Sequence, residues 1–177
     1  QALSTLPMFA RYQVGDCRVA VVHGDADSLA GWQFDGKHLA RAAPGDAFDL
    51  AEVDVFASSH TCQPALLTMG GAEGGRMVIN NGAAGMPNFE GLRAGLITRI
   101  SVHASPHAPL YGVRRGAVHV DALAVPYDHT QWEQDFLAQW PEGSDAHLSY
   151  FQRITGHTGF TVAQALLAPG SPTKSPG

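Results

Sequence analysis

Two runs of β-forming residues stop abruptly at a histidine, and this repeated design constrains the chain more than any other feature. The first, Arg18-Val-Ala-Val-Val-His23-Gly24-Asp25, is an apolar strand that breaks at a glycine. The second, Val53-Asp-Val-Phe-Ala-Ser-Ser-His60-Thr-Cys62-Gln-Pro64, ends in small polar residues. Helical segments are predicted between them, so the order strand, helix, strand points to neighbouring parallel strands in an α/β layer. Parallel strands end on one sheet edge, which would bring His23 and His60 to one place. Along an extended strand, residues i and i+2 point the same way, so Cys62 could join His60 there. Imidazole and thiolate are both metal ligands.

A chain of 177 residues with 45% hydrophobic and 15% charged residues is enough for one domain with a core. The expected domain spans residues 1–168, followed by a flexible tail, Pro169–Gly177, rich in proline, glycine and serine. The formal charge of −5 and scattered Lys and Arg residues provide no basic field, so nucleic acid is not expected as a partner. No stretch is apolar for the roughly 18 residues a membrane helix needs, and no basic, then apolar leader opens the sequence. A membrane is not expected as a partner, and the cytoplasm is the expected compartment. Two cysteines, Cys17 and Cys62, do not make a disulfide scaffold in a chain of this size; free thiols are expected.

In chain order, Gln1–Tyr12 reads as a mixed apolar segment before a first strand, Cys17–Val22. Asp27 or Ser28 could cap a broken helix over Ser28–Arg41, and Asp46–Glu52 reads as a short helix leading to a strand, Val53–Ala57. The paired glycines of Gly70-Gly71 and Gly74-Gly75 flank a turn before a strand, Arg76–Ile79. The Asn- and Gly-rich stretch Asn80–Asn88 is either a plain chain reversal or a loop beside a site. Strands over Gly95–Val102, Tyr111–Arg115 and Ala117–Val125 predict a second, antiparallel sheet with a hairpin about Gly116. Thr130 and Glu133 form a capping-box pattern ahead of a stripe, Trp132, Phe136, Leu137 and Trp140, which reads as core packing. Asp145–Thr155 and Thr161–Leu167 are further helical segments.

The three motifs in order, Val-Val-His23-Gly24-Asp25, Ser-Ser-His60-Thr61-Cys62-Gln-Pro64 and Val78-Ile79-Asn80-Asn81-Gly82-Ala83, resemble the C-terminal half of the calcineurin-like metallophosphoesterases. In that family one strand ends in His-Gly, a later one in Gly-His-x-His and the next in Asn-Pro-Gly-Ser. The resemblance covers roughly Cys17 to Asp128, with Leu6-Pro7 where the family often has that pair. It implies a four-layer αββα sandwich of two mixed sheets, incomplete at the N-terminus. It also implies two divalent metal ions, manganese, iron or zinc, acting on a small phosphate-ester substrate, a phosphomonoester or phosphodiester, through a metal-bound hydroxide. His23 and His60 would bind one metal, and Cys62 stands where the family has its last histidine. Ser59 replaces the glycine of Gly-His-x-His, and Asn81 replaces the proline of Asn-Pro-Gly-Ser.

The family's three earlier motifs, with the bridging aspartate and the acid histidine, have no counterpart in the 22 residues before His23, so no catalytic residue is identified in this chain. The resemblance therefore implies that a complementing N-terminal segment, another chain or a partner copy in a homo-oligomer supplies them. The alternative is a non-catalytic metallophosphoesterase-like domain that binds protein. Among the remaining candidates, Asp25 and Asp27 either orient the His23 imidazole or serve as caps. His103 and His107 read as exposed loop residues or a pocket rim, and His119, His129, His147 and His157 as surface residues. Ser58 and Ser59 lack the Gly-x-Ser-x-Gly setting of a serine nucleophile.

Overall fold

The computed structural model describes residues 5, 7–71, 75–156 and 158–168. The tail Pro169–Gly177, His157, Leu6 and Gly74, each part of an expectation above, lie outside the described residues.

Six strands form the larger sheet: β1 (Phe9–Val14), β2 (Cys17–Val22), β3 (Val55–Ser58), β4 (Pro64–Met69), β5 (Arg76–Asn81) and, late in the chain, the two-residue Leu166–Leu167. Three more, β6 (Gly95–Ser101), β7 (Tyr111–Arg115) and β8 (Val118–Val125), form the smaller one. With Leu166–Leu167 named β9, the orders are β1-β2-β3-β5-β4-β9 and β6-β8-β7. β2, β3 and β5 run parallel, Val21 opposite Ala57 and Ser58 opposite Asn80, as continuous apolar runs predict. β1 and β4 pair antiparallel with β2 and β5, and the smaller sheet is wholly antiparallel. The chain is thus a mixed α/β sandwich.

Two apolar layers lie on the faces of the larger sheet. Val19, Val55, Leu66, Met77 and Ile79 pack with Leu96, Val118, Val120 and Ala122 of the smaller sheet. On the opposite face Ala20, Phe56, Leu67 and Val78 meet Leu39 of α1 (Gly36–Arg41) and Phe48 of α2 (Gly45–Ala51). Alternation along β3 sends Val55 to one layer and Phe56 to the other.

Several local expectations are corrected. The predicted broken helix over Ser28–Arg41 survives only as α1, capped by Asp35, whose Oδ1 accepts the His38 N–H at 2.7 Å. Upstream, the buried carboxylate of Asp25 accepts the N–H groups of Asp27, Ser28 and Gln33, so the chain winds round a side chain. Helix α3 (His129–Gln139) is capped by Asp128, not by Thr130, and Glu133 pairs instead with Arg93. Its stripe is not core: only Phe136 is buried, while Trp132 and Trp140 are 39% and 42% exposed. Helix α4 (Asp145–Ile154) follows a Ser144 cap, and α5 (Val162–Ala165) is one turn before β9. No described helix is long and apolar enough to cross a membrane.

Candidate metal centre

β2 and β3 end side by side, and the chain after each is stitched to the other. The His23 carbonyl accepts the N–H groups of Ser59 at 3.2 Å and His60 at 2.8 Å. Ser58 donates its hydroxyl to the Gly24 carbonyl at 2.5 Å, which accounts for that buried serine structurally and removes it as a nucleophile. Gly24 is required by close approach: a Cβ there would overlap the Ser28 carbonyl oxygen.

These bonds bring the two imidazoles together. His60 Nδ1 and His23 Nε2 stand 3.1 Å apart, with the rings edge to face and their centroids 5.0 Å apart. Two nitrogens bound to one ion at about 2.1 Å, at right angles or tetrahedrally, lie roughly 3.0–3.4 Å from each other. The contact has the geometry of a hydrogen bond between the rings, and its spacing also fits two imidazoles sharing a divalent cation. Trp32 sets its ring edge-on to His60 at 5.5 Å, forming one wall. No sequence pattern pointed to Trp32, because the loop that brings it there is shaped by the Asp25 carboxylate.

Cys62 behaves differently from the strand-based expectation. β3 stops at Ser58, and residues 59–62 form a turn in which the Cys62 N–H donates to the Ser59 carbonyl at 3.0 Å. Cys62 itself is left-handed, with φ of 52°, so the alternation of an extended strand does not govern its side chain. The thiol is exposed and lies 3.7 Å from the His60 carbonyl oxygen. Among the described residues no group of three or more His, Cys, Asp or Glu side chains is placed to hold a metal ion. Both cysteines are free; burial pushes the Cys17 thiol above its ordinary range, with Arg115 opposing.

The Asn-rich stretch is a brace for this turn. Asn80 is fully buried; it donates to Thr61 Oγ1 at 2.9 Å and accepts the Gly82 N–H at 3.0 Å. Asn88 closes the reversal by accepting from the Ala83 N–H and donating to the Ala83 and Met86 carbonyls. Gly82 has φ of 65°, and a Cβ there would overlap Asn88 Oδ1 and stand 2.7 Å from Pro64 Cγ. Gly82→Ala is expected to cost about 1–3 kcal/mol, read as a lower urea midpoint with unchanged slope. An unchanged midpoint would show that the loop does not need glycine.

The other candidates do not converge here. Asp25 is used by backbone amides, and Asp27 accepts from Gln33. His103 and His107 are exposed, and their backbone N–H groups donate to the hydroxyls of Ser101 and Ser105. His119 lies half-buried on β8, His129 packs edge-on to Tyr127, and His147 stacks on Phe151.

No protein-family model matches the sequence, and no curated protein matches it. Among solved structures, a metallophosphoesterase from Sphaerobacter thermophilus superposes with a TM-score of 0.54 at 20% identity, covering 89% of this chain. This chain spans 60% of that structure's length. A hypothetical protein from Pyrococcus horikoshii OT3 is similar at 19% identity with a TM-score of 0.48, over 83% of this chain and 52% of that one. The fold is that of a metallophosphoesterase.

Proposed function

We propose that this chain is part of a metal-dependent phosphoesterase, hydrolysing a phosphomonoester or phosphodiester, and that His23 and His60 hold a divalent cation. The observation that carries this reading is the 3.1 Å approach of His23 Nε2 and His60 Nδ1 at the ends of two parallel strands. Manganese, iron or zinc would suit imidazole, and Cys62 is a further candidate ligand for zinc or iron once deprotonated. When bound, a pair of such ions makes water nucleophilic at neutral pH and neutralises charge building on the phosphoryl oxygens.

This chain's own residues hold and orient. The bonds of Ser59 and His60 to the His23 carbonyl fix both imidazoles on one edge, and Trp32 limits solvent on one side of His60. Two ligands hold an ion weakly, so the remaining ligands and the leaving-group acid belong to a complementing N-terminal segment or another chain. A second reading, a non-catalytic protein-binding domain on the same scaffold, draws on the lack of a third ligand among the described residues.

Elemental analysis after incubation with manganese, zinc or iron separates the two. The expected result is bound metal whose affinity falls more than about 100-fold in His60→Ala, with the melting temperature nearly unchanged because His60 is only half-buried. Loss of folding in His60→Ala with metal retained would make His60 a packing residue and sink the metal site. Wild-type protein that takes up no metal would overturn His23 and His60 as a metal-holding pair in this chain.

A further inference from the structure

The two sheets differ in width, six strands facing three, and among the described residues β6 is paired on one side only. The direction of its free side can be read from Leu96. Its N–H donates to the Ala83 carbonyl at 3.0 Å, and its carbonyl accepts from Asn81 Nδ2 at 3.2 Å, both away from β8. Backbone groups alternate along an antiparallel ladder, so Thr98 and Ile100 face that same free side while Ile97, Arg99 and Ser101 bond to β8.

A trough of about 430 Å³ borders this side, walled by Tyr12 and Val21 of the larger sheet and Ile97 and Ile100 of β6. Tyr12, Val21 and Ile97 are 58%, 42% and 41% exposed, and Thr98 Oγ1 is enclosed without a partner among the described residues. Ser58 and Ser59, directly before His60, also line the trough. Isolated proteins blunt such edges with proline, lysine or a covering segment. β6 has neither residue, and the side chain of Arg99 is engaged by Asp121 and the His103 carbonyl.

We propose that the free edge of β6 is the docking site for an extended segment of a partner polypeptide, which adds a fourth strand to the smaller sheet and fills the trough with alternate apolar side chains. The proposal rests on the reading of this chain as part of a phosphoesterase, and it names where the complementing part attaches. The Sphaerobacter thermophilus metallophosphoesterase, which shares the fold, has about two-fifths of its length beyond what this chain matches, enough to include such a strand. A segment in the trough would run up to the edge that carries His23 and His60, where ligands are lacking. Main-chain hydrogen bonds supply the affinity in this mode of recognition, and alternate side chains the selectivity.

The test uses the whole chain and an end-capped peptide of about nine residues alternating valine with threonine, flanked by lysines and free of metal ligands. Hydrogen exchange at the Thr98 and Ile100 amides is expected to slow at least about tenfold at saturating peptide. Thr98→Pro removes one free N–H without touching the β8 ladder, and Val21→Lys places a charge in the trough; each is expected to abolish the slowing while the melting temperature holds. No slowing in the wild-type chain, or equal slowing in both variants, would overturn the proposal. So would amides already protected in a dimeric free protein, which would make a second copy the occupant. Because the peptide brings no ligand, docking without metal uptake would fail only the phosphoesterase reading, and metal uptake without docking only this one.

Discussion

Replacing Asp54 by alanine is expected to destabilise the protein by about 3 kcal/mol, because it leaves a largely buried guanidinium with only the exposed Asp16 carboxylate, 4.0 Å away, as counter-charge. Asp54 stands just before β3. Its Oδ2 accepts the Arg18 backbone N–H at 2.8 Å and the Arg18 Nε–H at 3.1 Å, and its Oδ1 accepts from Arg115 at 3.1 Å. Arg115 belongs to β7, so one carboxylate ties the two sheets together. The Arg115 side chain is 14% exposed; its bond to the Gly75 carbonyl brings no negative charge, and its contact with Asp16 is longer, at 4.0 Å, and reaches a carboxylate that is 66% exposed. Burial alone would raise the Asp54 carboxyl, but its bonds from Arg18 and the charge of Arg115 hold it below the ordinary carboxylate value. A carboxylate depressed in the folded state adds stability that is fully present above the unfolded value of about 3.9 and is lost as pH falls through the folded one. The wild-type chain should therefore lose stability below about pH 4 more steeply than Asp54→Asn does. Urea titrations of the two across roughly pH 2–6 check this; parallel curves would show that Asp54 adds nothing in its charged form.

The parts of the fold that are legible in sequence are those where local and global preferences agree. β3 is buried on both faces and β2 is buried at Cys17, Val19 and Ala20, so both read as apolar runs, and their shared edge follows from the helices between them. That shared edge makes the nearness of the two histidines legible, while their 3.1 Å approach depends on the bonds of Ser59 and His60 to the His23 carbonyl, which no sequence pattern shows. β1 is hidden because Arg11, Tyr12 and Gln13 give an exposed edge strand little apolar signal. β4 is hidden for the opposite reason: Ala65, Leu66, Leu67 and Met69 favour helix, and only pairing with β5 makes them a strand. At the site, the turn after β3 defeats the expectation for Cys62, since alternation ends with the strand. The capping pattern at Thr130 loses to Asp128 because the Arg93 guanidinium claims Glu133.

Phe56→Ala is expected to cost about 3–5 kcal/mol, the range for deleting a buried phenyl ring, while leaving the histidine pair in place. Phe56 is 1% exposed and sits between two other rings, with centroids 5.0 Å from Phe34 and 4.8 Å from Phe48. Truncation opens a void against α2 that the Phe34 and Phe48 rings frame, and β3 cannot move to fill it while it is bonded to β2 and β5 on either side. His60 lies only a short way further along the chain, yet its position is set by its N–H bond to the His23 carbonyl and by the Asn80–Thr61 brace. Stability and metal binding should therefore separate along one strand. Phe56→Ala is expected to lower the melting temperature sharply and keep any metal affinity of the folded fraction, whereas His60→Ala should do the reverse. Equal loss of metal in both variants, measured on protein folded in each case, would mean that the histidine pair depends on packing beneath β3 rather than on the backbone bonds that join the two strand ends.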